Sequence, residues 1–559
     1  MKTSKKYSGL MVNLLEKMGI KYVFGVPGAP IKPILEDIQK SKKIKFILAK
    51  SELGAGYMAE VYSRISDKIG VCLISSGPGA TGMGTALAMA RMNGTQLLVI
   101  SGEINTKYFG KDVFQGSDPT SINVVGMYKQ IINQSFISIN PENSFSQFVD
   151  IIQILNQKKG PVFLSLPINI INSQVSVLQQ SRSKDIRHFK DDYLLCPDDK
   201  LLNTAVDKIV AAKKVLIIGG YGVLASKAMA EFYDLVNKLK VPVVTTSKAK
   251  SCFPNNNKFF FGTTGYAGSF LANSLLNSEK FDVILVVGSK LGSWSTNLWC
   301  ENLKNSYIIQ IDNDINSLGK NLQIGLGLLG DVKVVLKKLN SKIPSRPLGS
   351  SLESISKLKD KYIETSSHVP AKIYSTDLDP TLVFEKVRGL FTDDTTFIID
   401  AGTPRAWAIN KMTFNNANTF IEGGGFSPMG YATAGVIGAY LALNKPVVAI
   451  VGDGSFLMHG SEIHTAIEYN LPIIWIIINN SGFASIHHGQ IQSGFSSTAN
   501  LYKSRPQFDL MAKSLGANGY KITKIDQLNS RFVENLLGSK RPSVIDVITN
   551  RDTIPPVRF

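Results

Sequence analysis

The segment Val447-Val-Ala-Ile-Val-Gly-Asp-Gly-Ser455, then a stretch of helical period, then Pro472-Ile-Ile-Trp-Ile-Ile-Ile-Asn-Asn480, limits the fold more than any other part of the chain. Two apolar, β-branched runs joined by a helix read as strand, helix, strand. Such a crossover is right-handed and sets both strands parallel in one sheet. Ligands of open parallel sheets sit beyond the carboxyl ends of the strands. Asp453 and Asn480 each follow one of these runs, so the pattern brings both to that edge.

The same alternation fills the chain. β-Branched runs at 22–24, 44–48, 70–74, 97–100 and 162–164 form a first group. Runs at 215–218, 241–245, 283–287 and 308–311 form a second, and 396–399, 446–451, 473–478 and 543–547 a third. Segments of helical period separate them, which is the signature of parallel sheets covered by helices. At roughly 150 residues per domain, 559 residues imply three or four domains. Residues 172–199 and 342–372 lack a hydrophobic period and read as linkers, the second carrying Pro344, Pro347 and Gly349. The expected domains are 1–175, 190–345 and 372–559. The outer two echo one another. Gly77-Pro-Gly-Ala-Thr-Gly opens a small-residue helix before the run 97–100, and Gly430-Tyr-Ala-Thr-Ala-Gly opens another before 447–451. The expectation is a duplicated α/β fold flanking a different, Rossmann-like middle domain.

Composition removes several classes. Apolar residues are 44% and charged residues 19%, which is globular rather than disordered. Four cysteines lie far apart with no C-x-x-C pair, against a disulfide scaffold or a cysteine zinc ribbon and in keeping with a reducing cytoplasm. No apolar h-region follows Met1-Lys-Thr-Ser-Lys-Lys6, and the longest apolar run, 471–478, is too short for a bilayer. A cytoplasmic protein without membrane or nucleic-acid partners is expected. The net charge of +18 comes from scattered lysines without interleaved aromatic residues, so it reads as a solvated surface.

The chemistry of the 447–480 segment is that of a metal and an anion. Gly452 and Gly454 omit the Cβ atoms that would hold an anionic ligand away from the backbone. A helix opening near Ser455 aims free N–H groups and its positive dipole end at a diphosphate. Asp453 offers an anionic oxygen, Asn480 a neutral one, and a backbone carbonyl near Gly482 a third. Phosphate oxygens and water would complete the octahedron that Mg²⁺ demands.

Gly452-Asp453-Gly454 with Asn479-Asn480, 27 residues from Asp453 to Asn480, resembles the thiamine diphosphate motif of the acetolactate synthase, pyruvate oxidase and pyruvate decarboxylase superfamily. The resemblance spans nearly the whole chain. Phe24-Gly-Val-Pro-Gly28, Glu52 with Met58-Ala-Glu-Val-Tyr-Ser-Arg64, Ser76-Gly-Pro-Gly-Ala-Thr81 and Lys159-Gly-Pro-Val-Phe-Leu164 are similar to its pyrimidine-binding domain. Ile311-Asp-Asn-Asp314 with Gly330-Asp331 is similar to the end of its middle domain. The family implies thiamine diphosphate and Mg²⁺, the ion held by Asp453, Asn480 and Gly482. It implies cofactor contacts from Gly28, Glu52, Ser76, Gly402, Thr403, Met429, Gly452, Gly454 and Ser455. The segment Asp400-Ala-Gly402-Thr403, after another strand, is expected to touch the diphosphate or the substrate. Glu52 would share a proton with the pyrimidine ring, a task for a carboxyl in a dry pocket. Met429, in Gly425-Phe-Ser-Pro-Met429, matches the apolar residue that bends the cofactor. The family often has His before this Glu, whereas here Ser51 precedes it. It also implies a homodimer or homotetramer with sites shared between subunits.

Asp112-Val-Phe114-Gln115 resembles the Asp-x-Phe-Gln of acetolactate synthases, where Phe and Gln line the substrate pocket. The His-His pair of pyruvate decarboxylases is not found near this region, and Ile486 occupies the place of their catalytic Glu. These features imply a carboligase that decarboxylates a 2-keto acid and passes the acyl anion to a carbonyl acceptor. Two departures favour the alternative, a decarboxylase or lyase for a specialised substrate: Gly116 follows Gln115, and no tryptophan lies shortly after Asn480. His487 and His488 follow the metal loop and are candidates for proton donation or carboxylate binding. His459 and His464, on the intervening helix, read as packing or surface residues. Gly219-Gly-Tyr-Gly222 is an incomplete nucleotide loop, so FAD in the middle domain is the lesser expectation.

Overall fold

The computed structural model describes residues 5–157, 160–175, 194–346, 349–363 and 376–557. Much of the linker expected at 172–199 lies outside the described residues, as does 364–372 of the second.

Among the described residues, three six-stranded parallel sheets carry the fold. The first contains β1 (Tyr22–Gly25), β2 (Lys45–Leu48), β3 (Gly70–Ile74), β4 (Leu97–Glu103), β5 (Ser135–Ile137) and β6 (Val162–Pro167). Their order is β2-β1-β3-β4-β6-β5. The middle sheet contains β7 (Val215–Gly219), β8 (Val243–Thr245), β9 (Phe260–Thr263), β10 (Val283–Val287), β11 (Tyr307–Asp312) and β12 (Leu326–Leu329). It is ordered β9-β8-β7-β10-β11-β12. The third contains β13 (Thr396–Ile399), β14 (Phe420–Glu422), β15 (Val447–Gly452), β16 (Ile474–Asn479), β17 (Asn518–Ile522) and β18 (Ser543–Ile548), ordered β14-β13-β15-β16-β18-β17. Counted along their own strands, the outer sheets have one and the same order, and the middle sheet differs. The duplicated fold and the Rossmann-like centre are therefore as expected.

The register of the repeat differs from the sequence reading. The topology makes β3 the counterpart of β15, and the strand register places Ser75-Ser76-Gly77 where Gly452-Asp453-Gly454 stands in the third sheet. Helix α3 (Tyr431–Leu443), placed before β15, corresponds to α1 (Glu52–Ser66), placed before β3, and not to the helix after Gly77. These equivalent helices pack on each other. Their backbones approach closely because Gly438 lacks a Cβ, which would lie 2.0 Å from the Met58 carbonyl oxygen. One apolar core, which includes Met58, Val61, Ala434, Ile437, Val451 and Trp475, thus serves both outer sheets.

The middle sheet has its own core. It extends further than the sequence indicated. Residues 349–363, read as linker, form a helix whose Ile355 and Tyr362 are buried in that core, and the Tyr362 hydroxyl donates to Glu279 at 2.9 Å. The helical spacing of Leu352, Ile355, Leu358 and Tyr362 was obscured by the serines and lysines between them. No helix of the described residues is long and apolar enough to cross a membrane.

Candidate active site

The third sheet presents two helix N-termini at its carboxyl edge. α2 (Thr403–Lys411) follows β13, and α4 (Asp453–His459) follows β15. Gly402 is exposed with φ +87°, a left-handed conformation that favours glycine, and Thr403 is buried behind it. A Cβ on Gly452 would meet nothing nearer than Pro404 at 3.7 Å, so the space in front of that backbone is open. Gly454 differs from the expectation: a Cβ there would lie 2.7 Å from the Phe483 ring, so its absence is required by internal packing. The Gly482 position is likewise closed by the backbone of Asn500 and Leu501. Ser455 is buried, in the first turn of α4.

Asp453 is 2% exposed. Its Oδ1 accepts the Gly454 N–H at 2.7 Å and its Oδ2 the Gly482 N–H at 3.1 Å. Burial pushes its carboxyl up to about 6, against the pull of these backbone N–H groups. The adjacent asparagines divide their roles. Asn479 donates Nδ2 to the Pro506 carbonyl and to Asp546, both at 2.9 Å, and anchors the sheet. Asn480 is buried, and its Oδ1, like that of Asn479, has no hydrogen-bond partner among the described residues. A buried, unpaired amide oxygen following the same sheet edge as a buried carboxylate is an unsatisfied arrangement that a hard divalent ion satisfies. The donor set fits Mg²⁺, with both helix N-termini open to a diphosphate.

The segment Asp400-Ala-Gly402-Thr403 is expected at the diphosphate or the substrate. Its first residue, Asp400, engages the backbone. It accepts N–H groups of Ala401 (2.8 Å), Gly430 (3.0 Å) and Ala432 (2.8 Å), and burial pushes it up to about 6. Asp400 therefore fixes the turn that carries Met429, which is half-buried. Arg405 secures the same turn from the other side through Glu422 Oε2 (3.2 Å), Gly424 O (3.1 Å) and Ser427 Oγ (2.7 Å). Arg405 was not found from the sequence, where nothing distinguishes it from a surface arginine.

At the carboxyl edge of the first sheet, Glu52 is the first residue of α1, behind the cap Ser51. A Cβ on Gly79 would lie 3.1 Å from Glu52 Oε1, so the Ser76–Thr81 turn leaves room for that carboxyl. Gly28 faces Ser75, whose Oγ would lie 2.2 Å from a Cβ there. The Gln115 backbone packs on Gly77, and Ser117 holds the Gly77 N–H at 3.2 Å. Glu103 in turn binds Ser117 through Oε2 at 2.5 Å. Glu52, Gly28, Ser76 and Gln115 thus share one edge. Phe114 beside them is 86% exposed.

His487 and His488 lie on α6 (Ala484–Gln492). His487 Nε2 lies 3.0 Å from Asp552 Oδ1, and His488 Nε2 bonds the Arg551 carbonyl. Both rings fasten the C-terminal segment, and burial holds His488 below the usual imidazole range. Ile486 on the same helix is 58% exposed.

In the middle domain the strand order reverses between β7 and β10, where a dinucleotide would bind. There the Gly222 N–H donates to the Gly288 carbonyl at 2.9 Å, and a Cβ on Gly220 would lie 2.2 Å from that oxygen. The glycines serve the contact between two loops.

Three family models of thiamine pyrophosphate enzymes match in sequence. The N-terminal TPP binding domain matches residues 5–122, the central domain 202–339 and the C-terminal TPP binding domain 400–547. The chain belongs to the thiamine pyrophosphate enzyme family. It is a thiamine-pyrophosphate-dependent enzyme of the transferase or lyase type, similar to acetolactate synthase large subunits. That of Corynebacterium glutamicum is 26% identical, covering 97% of this chain and 86% of the relative. That of Cyanidium caldarium is 27% identical over 96% and 92%, and that of Lactococcus lactis 27% over 98% and 94%.

Proposed function

We propose that the enzyme is a thiamine diphosphate- and Mg²⁺-dependent carboligase that decarboxylates pyruvate or a similar 2-keto acid and transfers the acyl anion to a carbonyl acceptor. The observation that carries this reading is the unpaired Asn480 Oδ1 at the same sheet edge as the buried Asp453 carboxylate. Asp453, Asn480 and the Gly482 carbonyl would hold Mg²⁺, and the N-termini of α2 and α4, with Gly402, Thr403, Gly452 and Ser455, would hold the diphosphate. Gly28 and Ser76 would border the pyrimidine, and Met429 would press beneath the two rings. When bound, thiamine diphosphate supplies a carbanion able to add to the keto-acid carbonyl, with loss of CO₂. Glu52 holds and returns a proton at pyrimidine N1′. Phe114 and Gln115 line the substrate space and exclude water.

Ligation rather than protonation is favoured because Ile486, an apolar residue, stands on α6 where an acid would deliver a proton. His487 and His488 face the C-terminal segment and are given no proton in this scheme. Gly116, and the lack of a tryptophan shortly after Asn480, leave a specialised keto acid or simple decarboxylation as the second reading. Two copies are proposed to pair, as a homodimer or a homotetramer, so that the Glu52 edge of one faces the Asp453 edge of the other. The exposed Phe114 and Ile486 suit such cover. Outer domains of 1–175 and 372–559, a middle domain that begins at 190 and, beyond the expected limit of 345, takes in the helix at 349–363, and a cytoplasmic setting belong to the same proposal.

The test is product analysis with pyruvate, cofactor and Mg²⁺ under a panel of acceptors. A carbon–carbon ligation product with CO₂ is expected. Release of aldehyde alone, with every acceptor, would exclude carboligation.

A further inference from the structure

The turn that delivers Glu52 is gripped by the third domain of the same chain. Ser51 has extended backbone (φ −152°, ψ 153°), and its Oγ accepts the Gly54 N–H at 3.0 Å. Glu462, on α5 (Glu462–Glu468), accepts the N–H groups of Lys50 (3.0 Å) and Ser51 (3.2 Å) through Oε1. Thr465 Oγ1 steadies its other oxygen at 2.8 Å. The missing Cβ of Gly54 leaves room for this carboxylate, since a Cβ there would lie 2.3 Å from Glu462 Oε1.

His459, the last residue of α4, completes this grip. Its Nδ1 lies 3.4 Å from Ser51 Oγ, and Ser51 Oγ lies 3.5 Å from Glu462 Oε1. One arrangement pairs every group: His459 donates Nδ1–H to Ser51, and Ser51 donates its hydroxyl to Glu462. The histidine is 8% exposed, and its ring meets that of Tyr57 edge-on, with centroids 5.5 Å apart at 78°. The ring also fills the space a Cβ on Gly430 would need, 2.3 Å from His459 Cδ2. Gly430 directly follows Met429. The ring is thus wedged between the turn before Glu52 and the turn after Met429.

We propose that His459 is a positioning residue: through Ser51 it fixes the direction of Glu52, and by its bulk it fixes the Met429 turn. A core histidine that only packs would fill the same space, but it would not need the link to Ser51. The inference rests on the cofactor reading above, so its test has one arm with cofactor and one without.

The experiment compares wild type, His459→Leu and His459→Asn, the last keeping an N–H donor at the position of Nδ1. In cofactor-free protein, hydrogen exchange of the backbone amides at 50–56 is followed by mass spectrometry. With thiamine diphosphate and Mg²⁺ bound, loss of the C2 proton to deuterated solvent is followed by NMR. His459→Leu is expected to speed amide exchange and to slow C2 exchange at least about tenfold, part of the ~10²–10⁴ that general acid–base groups supply, with cofactor affinity within about twofold. His459→Asn is expected to restore both. If His459→Leu does not fold, Ser51→Ala breaks the same link from the first domain and carries the comparison. C2 exchange at the wild-type rate in a folded His459→Leu or Ser51→Ala chain would overturn the inference, as would failure of His459→Asn to recover the rate. If wild type itself binds no cofactor, the functional reading fails, and unchanged amide exchange in the variants would separately overturn the positioning role.

Discussion

Tyr431 donates its hydroxyl to Glu60 Oε2 at 2.8 Å, joining the first turn of α3 to the middle of α1. Both residues are buried. Glu60 Oε1 also accepts from Asn93 Nδ2 (2.9 Å) and Thr95 Oγ1 (2.7 Å), and Arg64 Nη1 reaches the Tyr431 oxygen at 2.9 Å. Lys248 extends the network into the middle domain through Asn93 Oδ1 at 2.8 Å. All three domains therefore meet on one carboxylate. Removing it in Glu60→Ala leaves three buried donors and Arg64 without their counterpart, and is expected to cost about 3–5 kcal/mol. Urea unfolding checks this, and a loss within ordinary surface values would show the network to be dispensable.

Close helix contact holds the outer sheets together, and it depends on a missing side chain. Gly438→Ala would set a Cβ 2.0 Å from the Met58 carbonyl oxygen, a backbone atom that cannot turn aside. Separation of α1 and α3 is expected, with a loss of about 1–3 kcal/mol as for other overpacked cores. A melting temperature equal to that of wild type would contradict the close packing.

Glu52 is expected to act on chemistry rather than on binding. In Glu52→Gln the amide cannot hold and release the proton, so C2 exchange of bound cofactor should fall by about 10²–10⁴-fold. Calorimetry should find the cofactor still bound. Exchange near the wild-type rate would remove Glu52 from its role.

Asp400 is fully buried and pushed up to about 6, above its ordinary value of 3.8, with burial the dominant cause. The folded chain therefore binds a proton that the unfolded chain has lost across the window between those values. Stability falls as pH rises through that window, because protons favour the state that binds them. From about pH 5 to about pH 7 this group alone should remove about 1 kcal/mol from cofactor-free protein. Asp400→Asn has no such proton to lose. Its unfolding free energy, measured by urea titration, should lack that part of the decline, and parallel pH curves for the two chains would contradict the assignment.

Much of this architecture was readable because the central strands are nearly continuous β-branched runs, as sheets buried on both faces require. The strands that escaped notice, β5, β9, β12, β14 and β17, all lie at sheet edges. They are short or carry glycine and polar residues, such as Asn518-Gly-Tyr-Lys-Ile522, since one side of an edge strand lacks a partner. Asp453 and Asn480 were legible because strand ends fix where they project. The division of labour between Asn479 and Asn480 was not, because it is decided by Asp546 and Pro506, far along the chain. The packing at Gly454 was not legible for a similar reason: Phe483, which occupies its missing Cβ space, reaches it only after the chain has crossed back. His459 and Arg405 acquire their meaning from turns they touch in three dimensions, and no local spacing announces either.

A clamp on magnesium diphosphate by Asp453 and Asn480 is the proposal on which the catalytic reading stands. Titration calorimetry of chelator-treated protein with thiamine diphosphate, with and without Mg²⁺, measures it directly. Mg²⁺-dependent binding of one cofactor per chain is expected, weakened about 100-fold or more in Asp453→Ala, since even outer-shell losses at metal sites reach that scale. Absence of Mg²⁺-dependent heat in wild type, or undiminished binding in Asp453→Ala, would contradict the clamp.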